Sequence, residues 1–369
     1  MKSKVFIFFG LLLVAFKVSS QPGINPPKLT NPNSWSIILL PDPQGYTKFK
    51  RNQPILDVMF NWIENNRQTL NIKLVMCTGD LVEQNFTAKA DKANGDLPSS
   101  MQWKAISNAF GKLDNKIPYI LCTGNHDYGT NHTENRFTQF NGFFPPDRNP
   151  LNSSMLVDMA PNAMGVKTME NACYEFLSPS GQKMLIFSLE YLPRKAVVEW
   201  AKELSSQPKY AKHIGVVLTH SYMHSGVKQN QRITKEDYPP GFSDVTVGQK
   251  LWEEWINTST NVQLVLCGHI IDVATHQGHV GFREDINNEG KKVNQMLFNA
   301  QNEGGNWQGN GGNGWLRILE FLPDKKTVLV KTYSPLFGSS PETDHLAWRK
   351  EAYDEFSFSI ESSSPGVAK

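Results

Sequence analysis

Five apolar runs in this chain end on residues able to gather around a cation. "IILLPDPQ" delivers Asp42 and Gln44, "LVMCTGD" delivers Asp80, and "YILCTGNHD" delivers Asn125, His126 and Asp127; "GVVLTH" ends on His220 and "QLVLCGH" on His269. Each has an ordinary explanation alone, because Asp starts turns, Asn caps, and buried histidines find partners. Together they are carboxylate, amide and imidazole donors, the ligand types of divalent metals.

The elements around them decide whether they meet. Apolar runs alternate with amphipathic stretches, as strand and helix taking turns do. Residues 53–70 place Ile55, Val58, Met59, Trp62 and Ile63 on one helical face. Further helices are predicted at "QWKAISNAFGKL", around Val197, Val198 and Trp200, and around Trp252 and Trp255. Near-continuous apolar strands between helices imply a mostly parallel sheet covered on both faces. The carboxyl ends of parallel strands share one edge, so the five termini converge there. The glycines beside them suit strands that stop abruptly where backbone must approach closely. Beyond residue 280, "NQMLFNAQ", "WLRILEFLP", "TVLVKTYSP" and "FSFSIE" follow one another without a helix and predict antiparallel strands completing a second sheet. "GGNWQGNGGNG", residues 304–314, reads as either a linker or a surface loop bordering a ligand site.

With 369 residues, 39% hydrophobic and 20% charged, the chain can bury a large core. Two lysines, an apolar stretch from Val5 to Phe16 and small residues near Ser20 read as a signal peptide over 1–20. A lead-in over 21–34, one domain over 35–361 and a flexible tail over 362–369 complete the expected organisation. The expected location is extracellular, or periplasmic in a bacterium, with no stable membrane span. Cleavage would remove Lys2, Lys4 and Lys17 from 37 basic residues and leave them one short of the 35 acidic ones. That balance offers no basic surface for nucleic acid. Sequons at Asn85, Asn131, Asn152 and Asn257 would be glycan acceptors in a eukaryotic secretory pathway. Among four cysteines, Cys77, Cys122 and Cys267 lie inside apolar runs and read as buried thiols, with a Cys77–Cys122 bridge open if those runs are neighbours.

With these motifs, residues 36–271 resemble the calcineurin-like metallophosphoesterases, whose signatures are Asp-x-His, Gly-Asp, Gly-Asn-His-Asp/Glu, a single His and Gly-His-x-His. "PDPQ", "GNGWLRILEF" and "KTYSP" are similar to a secreted or bacterial-type branch. The resemblance implies an α/β fold of two stacked mixed β-sheets flanked by helices, a phosphate-ester substrate and one or, with a weaker second site, two bound divalent cations. Asp80 would bridge them, with Asn125, His220 and His269 completing one site, for Zn, Fe or Mn. Asp42 and Gln44 would belong to the other, an oxygen-rich set suited to Mn, Mg or Ca. His126 would protonate the leaving group, its imidazole oriented by Asp127. Two positions depart from the pattern: Gln44 stands where the first motif has His, and Ile271 where the last motif has its second His. His276 and His279 are candidates to replace the missing ligand, and His224 and Arg283 are candidates to contact phosphate. The departures keep a second function open, a non-catalytic metal- or phosphate-binding protein on the same scaffold.

Overall fold

The computed structural model describes residues 27–130, 133–237, 240–272 and 275–361. The expected signal peptide, residues 21–26 of the lead-in and the tail lie outside the described residues. No described helix is long and apolar enough to cross a membrane.

The strands in chain order are β1 (Trp35–Leu40), β2 (Ile72–Cys77), β3 (Tyr119–Leu121), β4 (Leu156–Pro161), β5 (Lys167–Leu177), β6 (Lys183–Ser188) and β7 (Ile214–Leu218). They continue with β8 (Val262–Cys267), β9 (Val280–Ile286), β10 (Lys292–Phe298), β11 (Leu316–Phe321), β12 (Thr327–Tyr333), β13 (Trp348–Arg349) and β14 (Phe356–Ser359). Among the described residues they form two seven-stranded mixed sheets. One runs β13-β12-β11-β1-β2-β3 with β14 on β12, the other β4-β5-β6-β7-β8-β10-β9. β1, β2 and β3 are mutually parallel, as are β6, β7, β8 and β10.

Strand alternation explains why the apolar runs are unbroken. In β6, Met184 and Ile186 join the large core that contains residues of both sheets, while Leu185 and Phe187 join a second core beneath the helices Lys195–Ser205 and Gly248–Glu254. β8 divides likewise, Leu264 and Leu266 to one side and Val265 and Cys267 to the other. Both faces are therefore dry, and each large side chain so buried contributes about 1.5–3 kcal/mol. Leu56, Met59, Phe60 and Ile63 of the helix Gln53–Asn65 pack with Trp103, Ile106 and Phe110 of the helix Ser99–Gly111 into the large core. The layers are helix, sheet, sheet, helix.

One expectation needs correction, and one hairpin carries no strand signal in the sequence. The strands after residue 280 do not all complete one second sheet. β9 and β10 extend the second, whereas β11, β12, β13 and β14 extend the first through the antiparallel β1–β11 pair. The hairpin β4–β5 lies outside the runs predicted as strands; β4 is a half-exposed edge strand, so it lacks an apolar run. The four cysteines are free and buried, Cys77 and Cys122 included.

A buried ionic network ties the late strands together. Asp354 Oδ1 lies 3.1 Å from His276 Nε2 and 3.6 Å from Arg317 Nη2, and accepts from Thr332 Oγ1 at 3.2 Å. Glu303 reaches His276 Nδ1 at 3.3 Å and Arg349 Nη2 at 3.0 Å. Burial disfavours both charges, but Asp354 and Glu303 outweigh it and raise the His276 pKa, as His276 and Arg317 lower that of Asp354. The His276 contribution is present below the ordinary histidine value and lost as pH rises through the raised one. That of Asp354 is present above the ordinary aspartate value and lost as pH falls through the lowered one. Both therefore operate fully between about pH 4 and about pH 6.5. Asp354→Ala leaves Arg317 buried with only neutral oxygens for partners and is expected to cost about 3–5 kcal/mol in urea unfolding, with the largest difference in that window.

Candidate metal centre

The five strand ends meet at one edge of the two sheets. Asp80 and His269 both adopt left-handed backbone, φ 49° and 72°, a conformation costing of order 1–3 kcal/mol each unless the surroundings enforce it. They do: Asp80 Oδ1 accepts from the His126 N–H at 2.9 Å, and the His269 N–H donates to Asp42 Oδ2 at 2.7 Å. The glycines answer a spatial need. A Cβ on Gly124 would lie 2.1 Å from Asp80 Oδ1, and one on Gly268 would lie 2.1 Å from Asp42 Oδ1.

Hydrogen bonds at the periphery fix which atoms face inward. His220 Nδ1 sits 2.7 Å from the Thr78 carbonyl, which can only accept, so Nδ1 carries a proton and Nε2 is the nitrogen turned inward. His269 Nε2 lies 3.2 Å from Glu236 Oε2, which places its lone pair on Nδ1. The two inward nitrogens are 3.2 Å apart, and His220 Nε2 is also 3.1 Å from Asn125 Oδ1 and 3.2 Å from Asp80 Oδ2. Among the described residues Asp80, His220 and His269 offer ligand atoms within 4.8 Å of one another. Four acceptor atoms at such separations repel unless a positive charge sits among them, and this mixed N/O set fits a borderline divalent ion. Burial disfavours a charged His220, but Asp80 and Asp42 outweigh it and push the pKa up to about 10. Burial likewise raises Asp80, yet His220, His126 and His269 hold it well below the ordinary carboxylate range.

His126 stands beside this set with a different fixation. Its Nδ1 is 2.8 Å from the Glu83 carbonyl and 3.5 Å from Glu83 Oε1, so Nδ1 carries the proton and Nε2 is the atom that exchanges one. The expectation that Asp127 orients this ring is corrected. Asp127 Oδ1 accepts from the N–H groups of Leu81 and Val82, and Oδ2 from Gly124, clasping the β2 and β3 loops together. Glu83 is fully buried 3.6 Å from Lys48 Nζ. Burial works against both charges, pushing the Glu83 carboxyl up and drawing Lys48 down to about 8. Lys48 in turn lies 3.3 Å from the centre of the Trp307 ring.

The remaining candidates divide. His224 lines the cleft and lies 3.5 Å from Asp272. Arg283 does not serve there: its fork is bound by both oxygens of Asp285, at 2.7 and 2.8 Å. His276 is held in the Asp354 network, and among the described residues neither His276 nor His279 joins the grouping of Asp80, His220 and His269. The cleft has a volume of about 730 Å³, with His126, His224, Lys235, Ile271 and Trp307 in its walls. The glycine-rich stretch thus borders the site through Trp307. Sequence reasoning missed Glu83, Glu236 and Asn299. Only Asn299 carried a signal, since it too follows an apolar parallel strand, β10.

Residues 37–272, more than half of the chain, match the calcineurin-like phosphoesterase family, and the chain belongs to it. Members of this family generally bind divalent metals. It is similar to the uncharacterized protein YvnB of Bacillus subtilis (strain 168), 25% identical over 331 residues. That match spans 89% of this chain but 22% of YvnB. Among solved structures, GAP50, the anchor in the inner membrane complex of Plasmodium, has a TM-score of 0.42 at 13% identity, covering 89% of each chain. The 5'-nucleotidase from Candida albicans SC5314 has a TM-score of 0.36 at 13% identity, over 91% of this chain and 54% of that one.

Glu236 gives a direct test of the centre. Glu236→Ala releases the His269 Nε2 proton from its acceptor and is expected to weaken divalent-metal affinity by about 10–100-fold, read by competition with a chelating dye.

Proposed function

We propose that the chain is a secreted, metal-dependent hydrolase of phosphate esters. The supporting observation is the convergence of Asp80, Asn125, His220 and His269 beside a histidine whose Nδ1 is pinned and whose ring faces a roomy cleft. A divalent cation, when bound, stabilises charge developing on phosphoryl oxygens and acidifies water. Asp80, Asn125, His220 and His269 would hold it, with Thr78 and Glu236 fixing the two rings. His126, protonated, donates from Nε2 to the departing oxygen, and Glu83 supports the imidazolium from behind. Secretion is supported by the lysine-led apolar stretch before Ser20.

The test is turnover of 4-nitrophenyl phosphate and its bis-ester by chelator-stripped protein, with Mn, Zn or Fe added back. Metal-restored hydrolysis of either ester is expected. A folded protein that turns over neither with any metal would overturn the reading.

A second reading, a non-catalytic metal- or phosphate-binding protein, draws on Gln44, which turns an amide donor toward Asp80 Oδ2 at 3.0 Å. One tightly held metal with hydrolysis indifferent to His126→Ala would favour it.

A further inference from the structure

We propose that this centre holds a single cation and that the side-chain amide of Gln44 takes the place of a second. The inference rests on the metal centre of the proposed hydrolase and concerns its stoichiometry. The family resemblance puts a second ion among Asp42, Asp80, Gln44 and position 271, and these residues do not fit it.

Asp42 is already engaged. Its Oδ1 accepts from Thr78 Oγ1 at 2.8 Å, and its Oδ2 accepts from the His269 N–H at 2.7 Å and from Asn299 Nδ2 at 2.8 Å. Three converging donors supply the positive environment that a cation would otherwise give this carboxylate, and Asp42 stands outside the ligand grouping of Asp80, His220 and His269. Asn299 reaches it from the end of β10, so the second sheet closes the position with a side chain.

Gln44 closes the other approach. Its Nε2 donates to Asp80 Oδ2 at 3.0 Å, so the carboxylate that would bridge two ions receives an N–H hydrogen instead. The reverse amide orientation would set oxygen against carboxylate oxygen at that distance, and the hydrogen-bond partner therefore assigns the nitrogen. Gln44 Oε1 is buried with no hydrogen-bond partner. One neutral oxygen is a poor hold for a divalent ion, because oxygen-loving cations gather six or more ligands. Ile271 brings an apolar side chain to the cleft wall where a ligand would have to stand. His276 lies between Asp354 and Glu303 and cannot substitute. Asp80 is then a terminal ligand of one ion, steadied by an amide on its far side.

The experiment loads chelator-stripped full chain with Mn(II), removes the excess, and counts metal per chain by elemental analysis alongside the Mn electron paramagnetic resonance spectrum. The expected result is one ion per chain with the signal of an isolated ion. The double variant Gln44→His, Ile271→His is expected to gain a second ion and a spin-coupled spectrum. Two ions per wild-type chain, or a coupled signal from it, would overturn the inference while leaving the hydrolase reading intact. A double variant that binds no more metal than wild type would overturn the part assigned to those two positions. One ion without hydrolysis upholds the inference and sinks the hydrolase. No ion at all sinks both.

Discussion

Asp80→Asn is expected to lower metal-dependent hydrolysis by at least about 10³-fold and to empty the centre of tightly held metal. The effect comes from two changes in one buried position. Losing the carboxylate removes the ligand charge that compensates the cation, whose stabilisation of phosphoryl charge is worth several kcal/mol; about 4 kcal/mol corresponds to about 10³ in rate. The asparagine amide then has no good orientation. If its oxygen keeps the His126 N–H, now at 2.9 Å from Oδ1, its nitrogen meets the Gln44 donor, now at 3.0 Å from Oδ2. If it flips, the His126 backbone loses its acceptor. Metal content, the unfolding midpoint and kcat/KM should be measured on the same preparation. A variant that keeps its metal and works within tenfold of wild type would remove Asp80 from the centre.

The strand ends were legible in the sequence because parallel strands buried on both faces are written as unbroken apolar runs, and the first polar residue after each must surface at one edge. Asp80, Asn125, His220 and His269 follow from that rule, as would Asn299 had it been applied to β10. What lay outside it depends on tertiary path. Glu236 reaches His269 from a long loop, and no spacing connects the two. The distribution of β9–β14 between two sheets is decided by which edge each hairpin finds, since β11 pairs with β1 across 280 residues of chain.

The Asp127 correction has a local physical cause. Residues Asn125–Asp127 form one turn of 3-10 helix, in which the Asp127 N–H donates to the Gly124 carbonyl. With three residues per turn, successive side chains diverge by about 120°. Adjacent residues in such a turn cannot address the same imidazole edge: His126 turns to the cleft while Asp127 turns into the β2–β3 loops. Glu83, three residues beyond Asp80, lies behind the ring because the same strand end carries the chain past it. Sequence adjacency suggested the wrong carboxylate, and the turn type, once known, excludes it.

His126→Gln separates proton donation from metal binding and is the sharper trial of the hydrolase reading. Neither ring nitrogen belongs to the ligand set, and the backbone N–H that supports Asp80 survives the substitution, so metal content should stay at the wild-type level. The glutamine amide can still reach the Glu83 carbonyl, but it cannot deliver a proton to a departing alkoxide. General acid help is worth about 10²–10⁴ in rate, and it matters in proportion to the basicity of the leaving oxygen. An alkyl phosphate should therefore lose kcat by a factor in that range. 4-Nitrophenyl phosphate, whose leaving group departs readily as an anion, should lose far less. The ratio of the two losses carries the argument, because a general loosening of the site lowers both alike. Equal losses with metal content unchanged would show that His126 holds the substrate or the loop and does not serve as the acid.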